Sequence, residues 1–271
     1  MKFSNKVIII GLITIIITFL LLGNTSNYIE TFQDNNFIFN AFMINMDKDK
    51  ERNENFYKNY LNSDLSKIKI DRFPAIVGKN EDPKMWLTHE SAKELSLIEK
   101  NGYRTHHHSV TRGAIGCFLS HYTLAKNLLK ETTADAYLIF EDDTALLPFT
   151  YNKIQESLKH LPNDWDYVMF YTIRAVGRKE NNFFNKLKSF WGMNCYLINK
   201  SGAKKLIDEV EKNKIDGQID CYLSKMIQQN KLNIYASKTH FVSSNSKDTN
   251  IQAILKPKKG IDPYDYNGYQ M

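Results

Sequence analysis

Three consecutive acids, Glu141, Asp142 and Asp143, close a wholly apolar run of Tyr137, Leu138, Ile139 and Phe140. Neighbouring carboxylates repel one another and raise one another's pKa, so they either splay into solvent or share a neutralising cation. An apolar tetrad of strand formers reads as a strand buried on both faces. The acids then stand at its carboxyl end, the edge at which open α/β sheets hold their ligands. The chemistry this points to is a hard-cation site, with a solvated acidic turn as the plain alternative. Two further stretches carry polar groups at turns between elements. Asn45 and Arg52 flank the passage from a strand to a helix, which is either a nucleotide-holding turn or an ordinary polar loop. His106, His107 and His108 are adjacent, and in an extended segment neighbouring side chains point to opposite faces, so three in a row do not converge on one ion. That run reads as a surface loop.

The elements that must position these groups follow from periodicity. Ile38 to Ile44 reads as the first core strand, followed by a helix carrying Phe56, Tyr57 and Tyr60, with Asp47 or Asp49 as its cap. Lys67 to Phe73 is a second strand closed by Pro74, and 84–109 is irregular apart from a short helix over Ser91 to Glu99. From Arg112 to Leu129, Ile115, Leu119, Tyr122 and Leu129 recur at helical spacing, leaving Ser120 and His121 off the main stripe. Gly113 and Gly116 each weaken that helix by about 1 kcal/mol relative to Ala, which implies a close neighbour at its backbone. After the acids come a helix near Tyr151 to His160 and a strand from Asp166 to Ile173. A basic loop over 174–188, a strand over Phe190 to Ile198 and a helix capped by Ser201 follow. A helix from Cys221 to Gln229 and a strand from Asn233 to Ser237 complete the pattern. Strand and helix alternate through most of the chain, which predicts an α/β fold with a mostly parallel sheet and helices on both faces.

Residues 7–23 carry no charge and follow Lys2 and Lys6, while the first charges beyond them are Glu30 and Asp34. The run is at the short end of what spans a bilayer, and the charge asymmetry keeps the amino terminus in the cytoplasm. It reads as an uncleaved signal anchor in preference to a cleaved signal peptide. This predicts a cytoplasmic tail over 1–6, a transmembrane helix over 7–23, a stalk over 24–36 and a domain over 37–271. The protein would be a single-pass type II membrane protein with its domain on the non-cytoplasmic side. The net charge of +6 comes without a dense Lys/Arg stripe, which argues against nucleic acid as a partner and is compatible with anionic small molecules. Cys117, Cys195 and Cys221 lack metal-like spacing and sit in apolar stretches, as buried small hydrophobes do.

Taken in order, these blocks resemble glycosyltransferase family 25, the lipooligosaccharide and procollagen galactosyltransferases. The resemblance rests on Ile44-Asn45-Met46 with Lys48 and Arg52, on Ala75-Ile76-Val77-Gly78, and on Gly113-Ala114-Ile115-Gly116-Cys117-Phe118-Leu119-Ser120-His121. It continues through Glu141-Asp142-Asp143, Trp191-Gly192, Gly202 to Leu206 and Ile219 to Leu223. The resemblance implies a Rossmann-like nucleotide-sugar transferase of GT-A type. It implies inverting transfer of a hexose, galactose before others, from a UDP-sugar to a hydroxyl of a glycan or of a protein bearing hydroxylysine-type acceptors. Mn²⁺ or Mg²⁺ would neutralise the departing diphosphate, held by Asp143 and Asp142 with Glu141 in support. Asn45 and Arg52 would face the base and ribose, and Ser120 and His121 the donor sugar and diphosphate. Asp220 would take the acceptor's proton and His240 would complete the metal shell. A catalytically silent glycan-binding or scaffold protein with the same fold is the alternative, and a nucleotide-processing hydrolase a third reading.

Overall fold

The computed structural model describes residues 38–244 except 105 and 107. The expected anchor over 7–23 and stalk over 24–36 lie outside the described residues. Among the described residues no helix is long and apolar enough to cross a membrane. By contacts the chain divides into Met1–Asn35 and Asn36–Met271, and every described residue belongs to the second unit.

The strands, in chain order, are β1 (Phe39–Asn45), β2 (Ile70–Pro74), β3 (Ala136–Glu141), β4 (Thr144–Leu146), β5 (Tyr167–Met169), β6 (Ile173–Lys179), β7 (Phe184–Trp191), β8 (Cys195–Asn199), β9 (Ile234–Ser237) and β10 (Val242–Ser244). The helices are α1 (Lys50–Leu61), α2 (Pro83–Trp86), α3 (His89–Asn101), α4 (Arg112–Lys130), α5 (Thr150–Leu158), α6 (Lys200–Asn213) and α7 (Ile219–Gln228). Eight strands form one sheet in the order β2-β1-β3-β8-β5-β9-β7-β6, and β4 pairs with β10 in a small separate ribbon.

The apolar tetrad behaves as its composition requires. Leu138, Ile139 and Phe140 are fully buried, and the side chains of β3 alternate between two cores. Tyr137 and Ile139 face a core built with Leu119 and Tyr122 of α4, Leu206 of α6 and Leu223 of α7. Ala136, Leu138 and Phe140 face a second core with Phe56 of α1 and Ile154 of α5. Helices on both faces are therefore present as expected. The mostly parallel sheet is not. β1 runs parallel to β2 and β3, and β5 parallel to β9, but β8 lies antiparallel between β3 and β5, and β7 antiparallel between β6 and β9. A strand covered on both faces is continuously apolar whichever way it runs, so composition does not report its direction.

The basic stretch expected to be a loop is largely a hairpin of β6 and β7. Every residue of β6 is exposed, and an edge strand without a buried face leaves no alternation to read. The strand expected over Phe190 to Ile198 is broken at Gly192, whose φ of +87° is left-handed, so β7 and β8 are separate. The cap of α6 is Asn199, whose side chain accepts from the Gly202 N–H at 2.8 Å, while Ser201 donates to Asp166 instead. Asp49 occupies the cap position of α1 without a side-chain capping bond, and Asp47 pairs with Arg72.

Candidate functional site

β3 delivers the acids to the rim of a cavity of ≈ 430 Å³, within the size range of small-molecule and cofactor sites. Its wall is built from the end of β1 and start of α1 (Asn45, Lys48, Arg52), the segment Ala75 to Lys79 after β2, the first turns of α4 (Arg112, Gly113, Cys117, Ser120, His121), and Glu141, Asp142 and Asp143. Four sequence-distant segments meet here because parallel β1, β2 and β3 all end at one edge of the sheet.

The acids are not splayed into solvent. Asp142 accepts from Asn45 Nδ2 at 2.7 Å and from Arg52 Nη1 at 3.1 Å, so both residues expected to face a nucleotide hold this carboxylate. Asp143 accepts from Asn194 Nδ2 at 2.7 Å through Oδ1, and Oδ2 has no hydrogen-bond partner among the described residues. Burial, followed by the charge of Glu141, pushes the Asp143 carboxyl up to about 6. Burial also raises Asp142, opposed by its bonds to Asn45 and Arg52. An oxygen-rich cluster whose charge is poorly solvated, with a carboxylate oxygen to spare, fits a hard divalent cation. By partner count Asp143 is the better placed ligand, because both oxygens of Asp142 already accept from the protein.

Ser120 and His121, expected beside the helix's apolar stripe, are buried at 0% and 2% exposure. Both line the cavity, but their polar atoms are committed. Ser120 Oγ donates to the Gly116 carbonyl at 2.7 Å and accepts from the Ile76 N–H at 2.9 Å, which ties the segment after β2 to α4. His121 Nδ1 lies 2.7 Å from the Tyr196 hydroxyl and Nε2 3.3 Å from Glu141 Oε1. Two expected residues are placed elsewhere. Asp220 sits in the first turn of α7, accepts from the Gly192 and Cys221 N–H groups at 2.9 and 2.8 Å, and is not in the cavity wall; burial holds its carboxyl above the ordinary aspartate value. His240 is exposed and packs on Tyr171 at 4.9 Å. Antiparallel pairing sets Ser244 opposite Thr144, beside the acids, and Val242 opposite Leu146, so the chain at His240 lies at the far end of that ribbon. His106 pairs with Glu94 at 2.9 Å and packs on His108, as a loop histidine does.

Sequence reasoning missed Arg72 and Asn194. Arg72 Nε donates to Asn45 Oδ1 at 2.9 Å and Nη2 to the Asn45 carbonyl at 3.0 Å, orienting the amide that holds Asp142. Nothing in the spacing signals this; it follows from the β1–β2 register, which sets Met43 beside Arg72. Arg72→Ala is expected to strand the Asn45 side-chain oxygen, 2% exposed with its residue, at a cost of about 1–3 kcal/mol in chemical denaturation. Unchanged stability would show the pair to be dispensable.

The match to known proteins fits this arrangement. The family model described as "Glycosyltransferase family 25 (LPS biosynthesis protein)" matches residues 38–175, which hold β1 through the start of β6 and the acids. The chain belongs to glycosyltransferase family 25. A family 25 member of Drosophila melanogaster is 30% identical over 176 residues, 61% of this chain and 27% of that protein. Procollagen galactosyltransferase 1-B of Xenopus laevis is 25% identical over 246 residues, 84% of this chain and 36% of that protein. This family 25 chain thus spans well under half the length of those curated relatives. Among solved structures, GalNAc-T7 with UDP, GalNAc and Mn²⁺ aligns at a TM-score of 0.45 with 10% identity, over 75% of this chain and 43% of that one.

Proposed function

We propose that this family 25 chain is a metal-dependent, GT-A-type glycosyltransferase that moves a hexose, galactose before others, from a UDP-sugar to a hydroxyl of a glycan or protein, with inversion. The observation that carries the reading is the set of half-buried, protein-braced carboxylates on the wall of a cavity large enough for a ligand. A divalent cation held at Asp143 would supply Lewis-acid neutralisation of the departing diphosphate. The protein's own contribution is preorganisation: Asn194 fixes Asp143, while Arg52 and Asn45 fix Asp142, so these groups need little reorientation when negative charge develops. Lys48, Lys79 and Arg112 on the same wall complement an anionic donor.

The acceptor hydroxyl must lose a proton as it attacks. Glu141 is the carboxylate of the triplet not bound by Asn45, Arg52 or Asn194, and it lines the cavity with His121 Nε2 beside it. In this proposal Glu141 replaces Asp220 as proton acceptor, and Asp220 supports the Gly192 turn through the Gly192 N–H. The type II, non-cytoplasmic placement expected from residues 1–36 is part of the same proposal, and protease protection of the expressed chain tests it.

Incubating the full chain with a panel of UDP-sugars and Mn²⁺ or Mg²⁺ tests the reaction. Turnover of one sugar, abolished by chelation and accelerated by an acceptor, is expected. Metal-independent turnover would remove the cation from the mechanism, rapid hydrolysis indifferent to acceptors would favour a hydrolase, and binding without turnover a silent scaffold.

A further inference from the structure

Cys117 and His121 stand four residues apart on α4 and therefore share one face of the helix. Together with Glu141 they bring a sulfur, an imidazole nitrogen and a carboxylate oxygen to positions all within 4.8 Å of one another. All three line the cavity. Gly113, one turn before Cys117 and also in the wall, adds no side chain to crowd the approach. Tyr196 fixes the ring, its hydroxyl 2.7 Å from His121 Nδ1, which leaves Nε2 turned toward Glu141. Histidines that bind metals are held this way, the second ring N–H being given to a neighbouring acceptor.

We propose that Cys117, His121 and Glu141 form a binding site for a soft divalent cation, Zn²⁺ by its donor set, separate from the hard-cation position at Asp143. Thiolate, imidazole and one carboxylate are zinc donors, whereas Mg²⁺ and Mn²⁺ favour all-oxygen shells. Three protein ligands leave a fourth position open to water from the cavity. The ion must displace the thiol proton, which burial and the neighbouring acids Glu141, Asp220 and Asp143 hold tightly. Zinc bound here occupies Glu141 and one wall of the cavity. Resting on the transferase reading, Zn²⁺ then inhibits turnover in the presence of Mn²⁺ or Mg²⁺.

The binding itself is tested without turnover, by titrating the full chain with Co²⁺ alone and recording the near-ultraviolet thiolate-to-cobalt charge-transfer band. One equivalent of Co²⁺ should produce the band, and Zn²⁺ should erase it by displacement. Cys117→Ser should abolish it, Asp143→Asn should keep it, and Tyr196→Phe should weaken Co²⁺ affinity about 10- to 100-fold. Should Cys117→Ser fail to fold, Cys195→Ser and Cys221→Ser serve instead, because a band that survives both is left with Cys117, the remaining cysteine. Absence of the band in the folded wild type, its survival in folded Cys117→Ser, its loss in Cys195→Ser or Cys221→Ser, or an affinity indifferent to His121→Asn overturns the site. Because none of these readouts needs a donor or acceptor, a silent transferase and a missing zinc site give different results.

Discussion

Asp143→Asn is expected to lower sugar transfer by roughly 100- to 1000-fold, the cost of removing one preorganised group from a charge-stabilising site. The same substitution is expected to make the metal-free protein more stable at alkaline pH. The sign follows from the folded carboxyl, pushed up to about 6 by burial and by Glu141, against an unfolded value of about 3.9. Below about pH 4 the group is protonated in both states and contributes no penalty. As pH rises through 6 the folded protein must carry a charge it solvates poorly, and stability is lost. Above that range the penalty approaches about 3 kcal/mol, from about two units at 1.36 kcal/mol each. The neutral amide avoids it, and its carbonyl oxygen can still accept from Asn194. Thermal unfolding in chelator at pH 4 and pH 8 measures this: the variant should gain stability over wild type only at the higher pH. A variant less stable than wild type at pH 8, or one that transfers sugar at the full rate, contradicts the role given to Asp143. Mn²⁺ should restore stability to wild type and not to the variant, since a bound ligand stabilises only the state that holds it.

Gly116→Ala should disable the cavity by a different route. A Cβ at Gly116 would collide with the Ile76 carbonyl oxygen and stand 2.8 Å from the Gly78 nitrogen. One at Gly78 would collide with the Arg112 carbonyl oxygen and stand 2.6 Å from the Gly116 nitrogen. Each obstacle is backbone, so no side chain can swing away, and the segment after β2 must lift off α4. Overpacking of this kind costs about 1–3 kcal/mol and occasionally more. The hydrogen bond from the Ile76 N–H to Ser120 Oγ would be strained in the same movement. Because Ala75 to Lys79 form part of the cavity wall, donor binding should fall together with the melting temperature. Gly102→Ala is the contrast. Its φ is +76° with nothing within 4 Å of a new Cβ, so it should cost only the left-handed penalty of about 1–2 kcal/mol and leave donor binding intact. Wild-type binding and stability in Gly116→Ala would show that the two backbones are not obliged to touch.

This close approach was legible in part. The paired glycines of a helix otherwise rich in good helix formers signalled that something lies against its first turns, and Gly116 meets the backbone of residues 76 and 78 there. Which segment it was required the β1–β2 pairing that carries residues 75–79 back over α4. The serine and histidine of the same helix show the opposite case. Their spacing placed them off the apolar stripe, yet Tyr196 and Glu141 meet His121, and the Ile76 N–H meets Ser120, so both polar groups are buried with partners.

By itself the sequence determined what one element and its near neighbours decide. The buried strand ending in acids and the helix from Arg112 to Leu129 rest on local periodicity, because burial of a face repeats every two or 3.6 residues along the chain, while the order of the family blocks rests on resemblance. Tertiary structure alone decided which polar groups meet. Asn45 reaches Asp142 across 97 positions and Asn194 reaches Asp143 across 51, and such pairs are set by sheet register and strand direction. A buried strand is apolar in either direction, and an exposed one such as β6 has no pattern at all, so neither register nor direction is written in the composition of the strands that carry them.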